Sequence, residues 1–191
     1  MPTPPDFTTG QVLTAAMMDK IGLWLIETKD VTATATIDFT SVFDADYRGY
    51  RLMWDYTQNT TGADLYLQFR NASGVIASNY FWQWGGTFVT GTTAYWAGWS
   101  QQIVAQSNTV IGALCAAANR TSGWLDLPNP QNGGAAYGHG QSYSLNANAT
   151  YTHVTINGGI LHNASTTRTG LRLTCNAGTM TGKFSLYGYR N

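Results

Sequence analysis

Charge is what this chain has least of. Only 10 of its 191 residues are basic and 10 acidic, so charged side chains make up 10 % of it with no net charge, against about 25 % in ordinary soluble domains. A basic footprint for nucleic acid or an anionic membrane is thereby excluded. Cysteine is nearly as scarce. Cys115 and Cys175 both fall in apparent strands, which fits buried reduced thiols better than a disulfide framework, a single inter-strand bridge being the alternative. The three histidines, His139, His153 and His162, show neither the helical pairing of a zinc protease nor a companion Cys-x-x-Cys, so no metal site is expected. A threefold axis gathering His153 or His162 from three copies is the one metal arrangement left open. No apolar run reaches membrane-spanning length, and the first hydrophobic stretch carries Asp19 and Lys20 behind Pro2, Pro4 and Pro5 with no basic leader. It reads as neither signal peptide nor membrane span, and synthesis in a cytoplasm is expected.

What the chain has instead is aromatics, at 13 %, and 21 glycines. Its length suits one domain, or a domain with an appendage, and can bury a sizeable core. A surface poor in charge and rich in Trp, Tyr, Ser, Thr and Asn is expected where much of it becomes interface. Self-association is one reading and a monomer wrapped in neutral polar side chains the other. The Asn-x-Ser/Thr triplets at Asn59, Asn71, Asn119, Asn148 and Asn163 are read as coincidence in so Asn- and Thr-rich a chain.

The first thirty residues differ from the rest. Three prolines favour an extended path for residues 1–7. Thr14 is placed to cap a short helix over residues 15–21, which Gly22 ends, leaving Leu23, Trp24, Leu25 and Ile26 as an apolar run that needs burial. Pro4, Pro5, Phe7, Val12, Leu13, Met17, Ile21 and Trp24 are the candidate anchoring residues. They pack either on the chain's own β-domain or on a neighbouring subunit or larger assembly.

From residue 31 onward short alternating segments bounded by turn residues predict strands. They cover 31–37, 47–56, 65–70, 80–84, 94–99, 110–117, 124–127, 151–156, 171–175 and 183–189, with a turn at Asn71, Ala72, Ser73 and Gly74. So many short strands predict an all-β fold, an antiparallel β-sandwich of jelly-roll type preceded by an extended N-terminal arm and one short helix. The expected division is an arm and anchoring helix over 1–30 and a β-sandwich domain over 31–191.

Catalytic patterns are weak, and no enzyme is expected. Gly138, His139, Gly140, Gln141 and Ser142 lack the Gly-x-Ser-x-Gly elbow and read as a glycine-rich loop. Asp44, Asp46, Asp55, Asp64 and Asp126 supply carboxylates in number only, without the paired environments glycoside hydrolysis needs. The sharper signal is aromatic. Tyr80, Trp82, Trp84, Tyr95, Trp96 and Trp99, with Phe81 and Phe88, fall within twenty residues beside Asn79, Gln83 and Gln101. Such rings stack on sugars while amides bond hydroxyls, but in facing strands they equally fill a core or a subunit interface. The polar stretch 129–140 is a second candidate, as an exposed loop or as a crossing between sheets.

Phe7-Thr8-Thr9-Gly10-Gln11-Val12-Leu13-Thr14-Ala15-Ala16-Met17-Met18 resembles the opening of tailed-bacteriophage virion structural proteins. In that family an aromatic-x-x-Gly-x-Val-Leu-Thr-Ala-Ala segment precedes a helix and then a β-domain. The likeness continues through Phe39-Thr40-Ser41-Val42-Phe43-Asp44-Ala45-Asp46-Tyr47-Arg48-Gly49-Tyr50-Arg51 and closes on Gly182-Lys183-Phe184-Ser185-Leu186-Tyr187-Gly188-Tyr189-Arg190-Asn191, whereas residues 75–132 match nothing in it. The resemblance implies a homotrimeric virion component made in the host bacterial cytoplasm, with other virion proteins as partners. It implies a minor tail, fibre or receptor-binding protein that meets a host cell-surface glycan, or a capsid decoration or head-fibre protein. No cofactor is implied.

Overall fold

The computed structural model describes residues 22–60, 63–115, 119–145 and 153–190. Among these residues there is no helix. The strands are β1 (Leu23–Thr34), β2 (Thr36–Phe39), β3 (Tyr47–Gln58), β4 (Ala63–Asn71), β5 (Gly74–Val75), β6 (Tyr80–Thr90), β7 (Thr93–Gln106), β8 (Thr109–Cys115), β9 (Arg120–Pro128), β10 (Ala136–Leu145), β11 (His153–His162), β12 (Gly170–Cys175) and β13 (Met180–Arg190). Eight form one sheet in the order β1-β13-β3-β9-β10-β11-β6-β7; the second sheet runs β2-β12-β4-β5, with β8 also paired to β4. All pairings are antiparallel. The fold is therefore all-β. The expected helix over 15–21, and with it Pro4, Pro5, Phe7, Val12, Leu13, Met17 and Ile21, lies outside the described residues.

One core lies between the sheets, and the period-2 alternation builds it. Tyr50, Leu52, Trp54 and Tyr56 point inward from β3 while Leu65, Leu67 and Phe69 meet them from β4, all buried. Each such side chain contributes about 1.5–3 kcal/mol by leaving water.

The single strand expected over 31–37 is two strands in different sheets. The β1–β13 register shifts between Val31 and Thr34, and Ala33 sits in the left-handed region at φ 49°. The chain steps there from the larger sheet to the smaller. A boundary at residue 30 falls inside β1, an edge strand paired along its length with β13. Of its apolar run, Ile26 packs on the core and Trp24 is half-buried, whereas Leu23 and Leu25 point outward and are exposed.

The glycine-rich loop expected at 138–142 is a correction: these residues lie in β10, inside the larger sheet. Its inward positions are Ala136, Gly138, Gly140, Ser142 and Ser144, and a Cβ on Gly140 would stand 2.2 Å from the Trp124 carbonyl oxygen. Gly138 and Gly140 are bare because the flanking β9 backbone stands where their Cβ atoms would be, while Gly112 of β8 faces the Ser142 hydroxyl from beneath. A stretch without apolar residues on its buried face hides the usual strand signal. Residues 129–135 are likewise no crossing between sheets. They join β9 to β10, neighbours in one sheet.

Cys175 is a free thiol that donates to the Gly178 carbonyl. The β4 strand lies between β12, which carries Cys175, and β8, which carries Cys115, so two inter-strand spacings of about 4.8 Å separate them, beyond the reach of a disulfide.

On the smaller sheet, Asp38 accepts from both Arg70 and Arg172. The Arg172 hydrogen bonds foremost hold its carboxyl below the usual value of 3.8. Asp38→Asn is expected to lower stability by about 1 kcal/mol, since the pair is partly exposed. Urea titration should show that deficit at pH 7 and its disappearance as the pH falls below the ordinary carboxylate value, where Asp38 itself protonates.

Candidate functional site

The large aliphatic and aromatic side chains left exposed among the described residues are Leu23, Leu25, Met53, Trp96, Tyr137, Tyr143, Leu145 and Leu161. Cross-strand registers place all eight on the outer face of the larger sheet. The outer face of the smaller sheet carries none of them. Apolar surface on one face only makes that face the candidate contact surface.

At the centre of this face stands an ionic and aromatic cluster. Arg51 on β3 and Asp126 on β9 are register partners and pair bidentately, Nε to Oδ1 at 2.7 Å and Nη2 to Oδ2 at 2.6 Å. The Tyr189 hydroxyl donates to Asp126 Oδ1 at 3.0 Å. The Arg51 guanidinium lies 4.9 Å from the centre of the Trp124 ring, and His139 meets that indole edge-on with its Nε2 4.0 Å from Asp126 Oδ2. Hydrogen bonds to Asp126 push the Arg51 pKa up, and burial does the same for Tyr189. The cluster is internally neutralised, with planar groups and a carboxylate held in place. Sequence reading missed it as a unit. Its one signal is that in a chain with so few charges, Arg51 and Asp126 sit mid-strand on outward positions and need each other.

Towards the β1 edge the same face forms a cleft of about 640 Å³, lined by Met53, Tyr187, Asp30, Lys183, Asp55 and Arg120. Its charges are paired, Arg120 with Asp55 and Lys183 with Asp30.

The aromatic cluster expected as one unit is divided by the pleat. Tyr80 and Trp84 are buried, Trp84 donating to the Val110 carbonyl at 2.7 Å, and Trp82 packs half-buried against the core. Neither Tyr80 nor Trp84 presents a face to a ligand. Trp96 points outward and is 73 % exposed. Tyr95 and Trp99 stand opposite Phe88 and Trp84 in the β6–β7 ladder; their side chains lie outside the described part of the structure. Trp24 is the one described member of the anchoring set and lies opposite Gly188 on β13.

The stretch 129–135 is organised from within by Arg168, a residue that sequence reading passed over. Arg168 is fully buried, with no carboxylate partner among the described residues. Its guanidinium donates to the carbonyls of Pro130, Asn132 and Gly134 on one loop and of His162, Ala164 and Thr166 on the other. It also bonds His162 Nδ1 at 2.7 Å and lies 5.3 Å from the Phe69 ring centre. That contact assigns the His162 proton to Nε2. His162 is fully buried, so no metal on a threefold axis reaches it.

Compared with known proteins, the chain matches no protein-family model and no curated protein sequence.

Proposed function

We propose that this chain is a non-enzymatic structural protein of a tailed-bacteriophage virion, a homotrimer anchored through its N-terminal segment, tail-associated and serving host adsorption. The observation that carries the reading is the aliphatic strip of Leu23, Leu25 and Met53. It lies on the β1 side of the larger sheet, and β1 continues directly from the segment whose Gly10-Gln11-Val12-Leu13-Thr14-Ala15-Ala16 run carries the phage resemblance. Exposed leucines on an edge strand are costly in isolation and invite a partner. The strand orders β1-β13-β3-β9 and β2-β12-β4-β8 support a jelly-roll reading of the two sheets. In that reading β5–β7 and β10–β11 are two insertions, and they widen the larger sheet by β10, β11, β6 and β7.

The test is assembly. The full chain should have a solution mass three times its 20.8 kDa, and a tagged copy should enter particles at the tail. A chain lacking residues 1–21 should keep its sheets, shown by an unchanged far-ultraviolet spectrum, yet stay out of particles. A monomeric full chain, or normal incorporation of the truncated one, overturns the proposal; density on the capsid lattice moves the protein from tail to head.

A further inference from the structure

We infer that the widened half of the larger sheet is a binding site for a neutral, hydroxyl-rich polymer, an uncharged polysaccharide, lying across β10, β11, β6 and β7. The registers set its outward residues in rows. His139, Gly159 and Gln83 form one row; Gln141, Asn157 and Gly85 form the next; Tyr143, Thr155, Thr87 and Trp96 form the third.

Three amides from three adjacent strands thus meet on one patch. Gln83 and Asn157 are exposed, Gln141 half-buried, and among the described residues none of the three has a side-chain hydrogen-bond partner. Each offers two donors and an acceptor, the complement of vicinal hydroxyls. Gly85 and Gly159 leave the floor between them bare, and the benzo edge of Trp96 seats on Gly85, 2.7 Å from where a Cβ would stand. Most of that indole faces water, as does much of Tyr137 at 58 %. Rings of this kind stack on the C–H face of a pyranose.

The four strands contain no Lys, Arg, Asp or Glu. The charges on the adjoining strands are paired, Arg51 with Asp126 and Arg120 with Asp55. Apart from the imidazoles of His139 and His153, an ionic ligand finds no counter-charge on these strands, while a neutral one meets no penalty. A second copy of this chain fits less well, because closing the patch against protein would strand three amides in a dry interface. Hydroxyls satisfy them.

The site stands apart from the β1 edge, so its test separates from that of assembly. Full-length protein is run by native electrophoresis through gels containing dextran, galactomannan or a neutral β-1,3-glucan. Retardation is expected in at least one. Trp96→Ala and Asn157→Ala should each weaken it about tenfold without moving the melting temperature, since both side chains are exposed. Absence of retardation in all three gels, or equal retardation of wild type and variants, overturns the inference while leaving the trimer mass and particle incorporation to judge the virion reading. Ligand-free protein whose Trp96 is shielded from acrylamide quenching also overturns it, by assigning the face to a contact between copies.

Discussion

Arg168→Met is expected to destabilise the fold by about 4 kcal/mol, the cost of leaving buried acceptors without their cation. In a chain of this size that is a drop of roughly 8–16 °C in melting temperature. The residue joins the β9–β10 connection to the end of β11 and the segment that follows it through six backbone carbonyls. Methionine fills much of the volume and supplies no donor. The Ala164 carbonyl would keep its bond from the Thr166 N–H, while the carbonyls of Pro130, Asn132 and Gly134 would lose the guanidinium they bond. Arg168→Lys should recover only part of the loss, since one ammonium cannot span both loops as a planar fork does. Calorimetry of the three proteins at pH 7 checks the prediction; a methionine variant melting with the wild type would show that water replaces the guanidinium.

Acid is expected to loosen the same site. Burial first, and then the Arg168 cation, push the His162 pKa down to about 4 from an ordinary value of 6.5. Above pH 6.5 the ring is neutral in both folded and unfolded chains, and its contribution is fully present. Below it the unfolded chain takes up a proton that the folded one refuses, so stability falls by about 1.4 kcal/mol per pH unit. The total is about 3 kcal/mol by pH 4, where the folded histidine also protonates and the effect levels off. Asp38 acts in a separate window, below the ordinary carboxylate value. Urea midpoints between pH 7 and pH 4 should trace the His162 slope. His162→Gln, which keeps an acceptor for Arg168 but cannot titrate, should flatten it. An identical slope in the variant would place the acid sensitivity elsewhere.

Much of the architecture was legible in the residues because strand alternation is a local property. Leu65, Leu67 and Phe69 against Tyr66, Gln68 and Arg70 announce β4 without reference to any other segment, and the same holds for β3, β12 and β13. β10 was not legible for the opposite reason. Its buried face is glycine, alanine and serine, set by how closely the neighbouring backbone approaches rather than by hydrophobicity. The candidate site was half legible. Aromatic richness around residue 82 is plain, but a one-residue difference in phase sends Trp84 into the core and Trp96 to the surface. That phase is settled by pairing, not by composition. Arg168 carried no signal at all, since its acceptors are main-chain carbonyls that every residue possesses.

The amino-acid sequence by itself determined that this protein would be antiparallel β-structure with almost no charge, because pleat periodicity and side-chain chemistry are written residue by residue. Only the tertiary structure decided which strands would be neighbours. That choice brought Gln83, Gln141 and Asn157 from three strands onto one neutral patch and turned the exposed leucines and rings to a single face. It also closed two loops around a buried cation. Contacts between residues far apart in the chain depend on the burial and hydrogen bonding of whole sheets, which no local stretch encodes.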